Sequence, residues 1–475
     1  MSLGLNIYHR LPIPARSLAA SIHGYYLGWW RYDRLTDKLV DEALEREYWT
    51  DKQWNNWREN RLSDLLHRAV RDVPYYREMW AERKKEGDSS SWEDLQNWSV
   101  LEKKVLRDRG TEFIADGFSR SRMYHEHTSG TTGTPLHIWL TRESVKQWFA
   151  LFEARCRRWY GFSRKDRWAI LGGQLVVPVK QMKPPFWVWN QGMNQLYMSS
   201  YHLSPVMTQH YLKALAKYRI KYILGYSSAI YSLAQAAVEK KVSGLQIETV
   251  ITNAEPLYAH QRETISKAFG CPVRETYGMT EVAAAASECE FGRLHLWPEV
   301  GIIETESNAA PSGASDFICT GLINAEMPLI RYRVGDRGRL SDEKCDCGRN
   351  LPLIDSIDGR CDDVLYTSDG RSVGRLDPIF KGGLPILEAQ IIQNSLKRIT
   401  VKFVRAEAFE TKALDSLAER VRERLGDIEV TFEETTAIPR TSNGKFRAVV
   451  CELSSSEREQ VLNPINVETA RPSNA

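Results

Sequence analysis

Between about residue 120 and residue 300, short apolar runs that end in Gly, Ser or Asn alternate with helical patterns. The runs are WAILGG (168–173), YILGYSS (222–228) and TVITNAEP (249–256), with helical stretches at Thr208 to Ile220 and Ala229 to Val238. Strand, loop and helix in repetition admit few solutions, and the expected one is an α/β sheet with ligand loops at its strand ends. The segments 299–306 (EVGIIETE) and 316–323 (DFICTGLI) predict strands of a more antiparallel, barrel-like region. The linker between them, SNAAPSGAS, has the composition of an exposed turn.

At 475 residues the chain is too long for one ordinary core. Its first 110 residues read as helical: Leu62, Leu65, Leu66, Ala69 and Val70 recur at three- and four-residue spacing until Pro74 stops the pattern. A boundary falls near Asp358 to Asp363. Beyond it ITVKFV (399–404), a helical stripe from Leu414 to Leu425, and IEVTFEE (428–434) predict a compact α+β unit. The expected organisation is a helical flank over 1–110, a nucleotide- and acid-binding body over 111–361, and a small mobile C-terminal domain over 362–475. Of the 15 Trp, eight precede residue 100 and none follows Trp297, so the two ends are built to different specifications.

Lys and Arg total 64 against 61 Asp and Glu, which excludes the basic footprint of a dedicated nucleic-acid binder. No segment qualifies as a membrane span. The stretch Ser17 to Trp30 is short of the roughly 20 residues required and contains His23 and two glycines. The start also lacks the apolar core and small-residue cleavage site of a signal peptide. Tyr25, Tyr26, Trp29 and Trp30 read either as a membrane-surface cluster or, by default, as aromatic packing of an N-terminal helix onto the body. Eight scattered Cys do not make a disulfide scaffold, and the expected location is the cytoplasm.

Chemistry concentrates in four segments. His127-Thr-Ser-Gly-Thr-Thr-Gly-Thr-Pro135 interleaves hydroxyls with Gly130 and Gly133 in a loop able to wrap phosphate oxygens, without the Lys of a Walker A loop. Glu275-Thr-Tyr-Gly-Met-Thr-Glu281 offers an aromatic face, a hydroxyl and a carboxylate. Tyr332-Arg-Val-Gly-Asp-Arg-Gly338 places an Asp on a tight turn suited to paired sugar hydroxyls. Pro439-Arg-Thr-Ser-Asn-Gly-Lys-Phe-Arg447 sets Lys445 just after Gly444. Taken singly, Tyr277 could be core, Glu281 a helix cap and Lys445 a solvated turn lysine.

In this order the four segments resemble the adenylate-forming superfamily, over nearly the whole chain from about residue 50. Within it HTSGTTGTPL (127–136), CDCGR (345–349), DGRSVGRLDPIFKG (369–382) and RAVRDVPYYREMW (68–80) are similar to the phenylacetate–CoA ligase group, in particular its CapK branch, often associated with capsular polysaccharide synthesis. The resemblance implies that Thr128, Ser129, Gly130, Thr131, Thr132 and Gly133 hold the ATP β- and γ-phosphates. It implies Tyr277 against adenine, Thr280 on the α-phosphate, Glu281 as a Mg²⁺ ligand, and Asp336 with Arg360 at the ribose. Asp362 matches the hinge of the small domain, and Lys445 would reach both the carboxylate substrate and the α-phosphate. Two anions meet in such a reaction, and a Lys and Mg²⁺ offset their repulsion.

Cys345-x-Cys347 before Gly348 resembles a zinc-knuckle turn, and Cys289 and His295 are the candidate further ligands. Some relatives in the phenylacetate–CoA ligase group bind zinc at such positions; the other reading is reduced thiols on a surface loop. The chain departs from ordinary acyl-CoA synthetases over Leu365 to Gly383, where Arg371, Arg375, Asp377 and Lys381 form either a solvated face or an acceptor site not built for CoA. Trp168, Gln174, Tyr226 and Ser227, at expected strand ends, are the candidate acid pocket.

The expected function is an ATP-dependent, AMP-forming ligase that adenylates a carboxylic acid and passes the acyl group to CoA or to an amine, within polysaccharide biosynthesis. The alternative is a non-catalytic nucleotide-binding or scaffold protein.

Overall fold

The computed structural model describes residues 3–457 apart from 128–135, 179, 204–205, 256, 258, 307–314, 358–364, 370–371, 374–378, 380–385, 406–408, 437, 439–448 and 455. Its first part is helical: α1 (Leu3–Arg10), α2 (Ile13–Arg31), α3 (Arg34–Arg46), α4 (Asp51–Asp72), α5 (Pro74–Lys85) and α6 (Lys103–Asp108). Local chemistry sets the starts. The Asp33 side chain accepts from the Thr36 amide to open α3, and Thr50 with Gln53 forms a capping box on α4. Pro74 has no N–H to lose in a first helical turn, so it ends α4 and starts α5. Leu65, Leu66, Ala69 and Val73 are buried, together with Tyr76, Trp80 and Trp98. The Trp98 ring meets those of Tyr76 and Trp80 edge-on at 5.2 and 5.4 Å. Trp30, Trp80 and Trp98 therefore belong to the core that joins flank and body.

Next come β1 (Tyr124–His127), β2 (His137–Leu140), α7 (Arg142–Cys156), β3 (Trp168–Gly172), β4 (Trp187–Asn190) and β5 (Gln195–Ser199). They are followed by α8 (Thr208–Lys217), β6 (Tyr222–Tyr226), α9 (Ser227–Glu239), β7 (Thr249–Asn253), α10 (Ala259–Phe269) and β8 (Val273–Gly278). Strands β5, β3, β6, β7 and β8 are parallel neighbours, and their apolar runs are buried because helices cover them. Then β9 (Ala285–Glu288), β10 (Leu294–Leu296), β11 (Gly301–Glu306), β12 (Ser315–Gly321), β13 (Tyr332–Ser341) and β14 (Leu353–Ile357) pair antiparallel.

The expected distorted barrel is corrected here. β9 adds antiparallel to the free edge of β8, with Tyr277 opposite Ala286, so the antiparallel strands extend the same sheet. The order is β11-β12-β13-β14-β10-β9-β8-β7-β6-β3-β5-β4, twelve strands among the described residues. With β9 held on both sides, β11 stays an edge, and no closed barrel forms among the described residues.

The C-terminal part holds a small pair, β15 (Leu365–Tyr366) with β16 (Ser372–Val373). It also holds a sheet of β17 (Ile386–Ser395), β18 (Arg398–Arg405), β19 (Glu429–Glu434) and β20 (Val449–Cys451), in the order β19-β18-β17-β20. The stripe Ala413, Leu417, Val421 and Leu425 of α11 (Lys412–Leu425) packs with Ile399, Val401 and Phe403 of β18. Tyr201 of the body joins that core, 5.7 Å from the Arg424 guanidinium.

Flank and body are also tied by charge. Arg155 of α7, fully buried, donates two 2.7 Å hydrogen bonds to the Glu299 carboxylate and lies 3.8 Å from Glu47. Arg155→Ala leaves both carboxylates buried without it. The expected cost is about 3–5 kcal/mol, read as a lowered denaturant midpoint.

Candidate active site and metal centre

The C-terminal ends of β7 and β8 open into a cavity of about 340 Å³. Parallel strands leave their loops on one edge, where a sheet takes its ligands. Thr276, Tyr277, Gly278 and Thr280 line one side, Asn253 and Ala254 a second, and Trp148, Phe149 and Phe152 of α7 a third. The backbone is strained at two of its lining residues: Ala254 has φ 65° and Val282 φ 53°, a conformation that a β-branched side chain rarely adopts.

Two of the chemistry-bearing segments meet beside this cavity. The Tyr277 hydroxyl donates to Asp336 Oδ2 at 2.8 Å, linking β8 to β13 across 59 residues of sequence. Glu281, just beyond β8, is buried; the Tyr332 hydroxyl donates to its Oε1 at 3.2 Å, and Lys103 Nζ lies 3.8 Å from the same oxygen. Burial, and secondarily the neighbouring Glu288, hold the Glu275 carboxyl up at about 7. Strands β1 and β2 pair with His127 opposite His137, so the segment 128–135 leaves and rejoins the fold at one place. Thr128, Ser129, Gly130, Thr131, Thr132 and Gly133 themselves lie outside the described residues, as do Arg360, Asp362, Lys445, Arg371, Arg375, Asp377 and Lys381.

Of the four acid-pocket candidates, Gln174, Tyr226 and Ser227 follow the adjacent C-terminal ends of β3 and β6, and Trp168 does not join them. Trp168 opens β3 opposite Tyr222, at the far end of the strand from Tyr226 and Ser227. There it stacks on Tyr222 at 5.8 Å and donates from Nε1 to the Met193 carbonyl at 3.0 Å. Gln174 is exposed in the loop after β3, Tyr226 sits against Gly173, and the buried Ser227 donates to the Glu255 carbonyl at 3.2 Å. None of the four lines the cavity beside Tyr277. The α7 residues that do, Val145, Trp148, Phe149, Phe152 and Cys156, recur at three- and four-residue spacing behind the N-cap Thr141, a helical signal the sequence carries.

Cys289 at the end of β9, His295 on β10, and Cys345 and Cys347 after β13 converge, with all four ligand atoms within 4.8 Å of one another. Cys289 Sγ is 3.6 Å from Cys345 Sγ, and Cys347 Sγ is 3.4 Å from His295 Nε2. Tetrahedral zinc with arms of about 2.3 Å has sulfur–sulfur edges of about 3.8 Å, so a Cys₃His set of this size fits the ion. Gly348, with φ 79°, supplies the turn that points both thiols inward. Burial brings His295 down to about 4, which keeps its imidazole neutral and able to ligate, and pushes Cys345 up to about 12. The turn is anchored to the helical flank: Arg349 Nε donates to the buried Glu47 carboxylate at 3.1 Å, and Trp159 Nε1 donates to it at 2.5 Å. None of the four residues lines the cavity.

Residues 80–307 match the family model described as AMP-binding enzyme, and residues 365–452 match that of the CapK C-terminal domain. The chain belongs to the adenylate-forming, AMP-binding enzymes. Among its relatives, protein CapK of Staphylococcus aureus is 24% identical over 458 residues, covering 94% of this chain and 98% of that protein. A phenylacetate-coenzyme A ligase of Thermus thermophilus is 24% identical over 441 residues, covering 82% and 95%. The fold is similar to that of a 2-hydroxyisobutyryl-CoA ligase, with TM-score 0.55, 19% identity, and coverage of 88% and 93%. An adenylate-forming ligase of the phenylacetate–CoA ligase and CapK grouping is therefore an enzyme whose family works with ATP and AMP. No helix among the described residues is long and apolar enough to cross a membrane.

Proposed function

We propose that the protein adenylates a carboxylic acid with ATP in the cavity beside Tyr277 and Asp336, then passes the acyl group to CoA or to an amine acceptor. The observation that carries this reading is the Tyr277–Asp336 hydrogen bond, which sets a carboxylate beside a tyrosine that lines the cavity. In the first step a carboxylate oxygen attacks the α-phosphorus of ATP and pyrophosphate leaves. In the second the acceptor attacks the acyl carbon and AMP leaves. Tyr277 would flank the adenine, Asp336 and Arg360 the ribose, Thr280 the α-phosphate, and residues 128–133 the outer phosphates. Glu281 would hold Mg²⁺, which supplies charge neutralisation at the phosphates. Rotation about Asp362 would bring Lys445 in for the first step and withdraw it for the second. The domain limits near 110 and 362 are part of this proposal.

The acid's side chain would occupy the apolar wall of Trp148, Phe149 and Phe152. An amine acceptor in a polysaccharide precursor is proposed beside CoA on the resemblance of HTSGTTGTPL (127–136) and CDCGR (345–349) to the CapK branch. We place the enzyme in the cytoplasm, in keeping with the lack of a disulfide among its described cysteines. Pyrophosphate release across aryl, fatty, amino and uronic acids, with and without CoA or amines, tests the reading. Absence of release with every acid would support the nucleotide-binding or scaffold role instead.

The Cys289, His295, Cys345 and Cys347 set would hold a structural zinc that ties the knuckle to the helical flank. About one zinc per purified chain is expected. Cys347→Ser is expected to lose most of the metal and to melt several degrees lower, by elemental analysis and thermal denaturation. A metal-free wild type of unchanged stability on chelation overturns the assignment.

A further inference from the structure

Helix α2 shows two faces that do different things. Ser17, Ser21, Gly24 and Gly28 lie against the sheet edge formed by β4. Ser21 Oγ accepts from the Gln191 amide at 3.0 Å and Ser17 Oγ from the Trp189 amide at 3.4 Å, so the helix caps backbone donors that an edge strand would leave open. The approach is close enough that a Cβ on Gly192 would lie 2.3 Å from the Tyr25 nitrogen. The helix is thus held firmly in one orientation. About 100° round the helix runs a stripe at i, i+4, i+7 and i+11: Leu18, Ile22, Tyr25 and Trp29. These are 62%, 62%, 59% and 74% exposed. A row of large apolar side chains presented on a rigidly docked helix marks an interaction surface.

Charge says what the surface meets. Residues 1–32 contain no Asp or Glu, and neither do residues 167–238, in a chain with 61 carboxylates among 475 residues. The two segments are adjacent in space: α2 lies on β4, Arg16 donates to Gln181 at 2.8 Å, and His9 Nε2 sits 2.7 Å from the Leu175 carbonyl. Together they carry ten Lys and Arg, of which Arg10, Lys180 and Lys183 are exposed by the N-terminal end of α2, where Arg16 meets Gln181, next to the exposed Met182. A second copy of the same face would bring cations against cations with no carboxylate to answer them. An anionic partner with an apolar interior fits both halves of the pattern.

We propose that α2 seats the protein on an anionic lipid bilayer, lying in the plane of the surface. Leu18, Ile22, Tyr25 and Trp29 enter the boundary between headgroups and acyl chains, while Arg10, Lys180 and Lys183 face the anionic headgroups. Trp and Tyr suit that depth because each has an apolar body and a polar tip. Apolar and basic signals together are what stable surface attachment needs. The inference is independent of the reaction proposed above.

The test is vesicle flotation of the full chain with phosphatidylcholine alone or mixed with phosphatidylglycerol. Wild type is expected to float with the mixed vesicles and to be released by salt. Leu18→Ser/Ile22→Ser/Tyr25→Ser/Trp29→Ser, all at exposed positions, is expected to weaken binding about tenfold or more with unchanged Tm. Lys180→Glu/Lys183→Glu is expected to lose the preference for the anionic lipid; should the fourfold variant misfold, this pair and Trp29→Ser alone decide. Flotation with neither vesicle, or equal flotation of wild type and variants, overturns the proposal. Self-association abolished by the serine variant, without lipid binding, would assign the face to a second copy instead.

Discussion

Lys445→Ala is expected to lose ATP–pyrophosphate exchange by about 10²–10³-fold, the effect of removing one preorganised charge from a developing anion. The same variant, given a chemically prepared acyl-adenylate, is expected to transfer the acyl group at the wild-type rate. The split follows from the charges. When a carboxylate attacks an α-phosphate, negative charge from both reactants crowds one volume, and a compact ammonium can face both oxygens at once. In the second step the acceptor attacks the acyl carbon and not the phosphate, and AMP leaves, so less negative charge gathers at the α-phosphate for the lysine to offset. Single-turnover assays of each half-reaction measure the split. Equal loss in both halves would place Lys445 in general folding or in acceptor binding, and full activity in the first half would remove it from the site.

Glu281→Gln carries the second large effect. Its carboxylate is buried, with Tyr332 donating to it at 3.2 Å and Lys103 Nζ 3.8 Å away as an ion-pair partner. An amide keeps the shape and loses the charge. The reading of Glu281 as the Mg²⁺ ligand predicts a fall of about 10²–10³-fold in exchange, with a raised Mg²⁺ requirement. A merely structural role predicts another outcome: Gln would leave Lys103 facing a neutral group, lower the stability and leave the Mg²⁺ dependence alone. A Mg²⁺ titration of the exchange rate together with a denaturation curve separates the two.

Three of the five parallel strands were legible because each is a short apolar run bounded by breakers, and a buried parallel strand needs little else. WAILGG, YILGYSS and TVITNAEP fall on β3, β6 and β7. Pairing was not legible in the same way. Nothing within EVGIIETE states which strand lies beside it, so a barrel and an extended sheet were equally compatible with the pattern until β9 was placed on the edge of β8. Trp168 failed for a related reason. The run containing it identifies a strand, but only direction and register say which end of that strand faces ligand. The cavity wall on α7 is legible in the sequence, since its stripe from Val145 to Cys156 is periodic behind the Thr141 cap.

Residue chemistry and order along the chain, which the amino-acid sequence holds by itself, determined the family resemblance, the phosphate-type loop, the Cys-x-Cys turn and the aromatic N-terminal helix. These are local properties, set by side-chain type and by spacings of a few residues. Only the tertiary structure decided what meets what. It joined Tyr277 to Asp336, closed Cys289, His295, Cys345 and Cys347 into one set, and laid one acid-free segment against another. Such meetings depend on strand order and register, which arise from the packing of the whole chain and are written in no single segment.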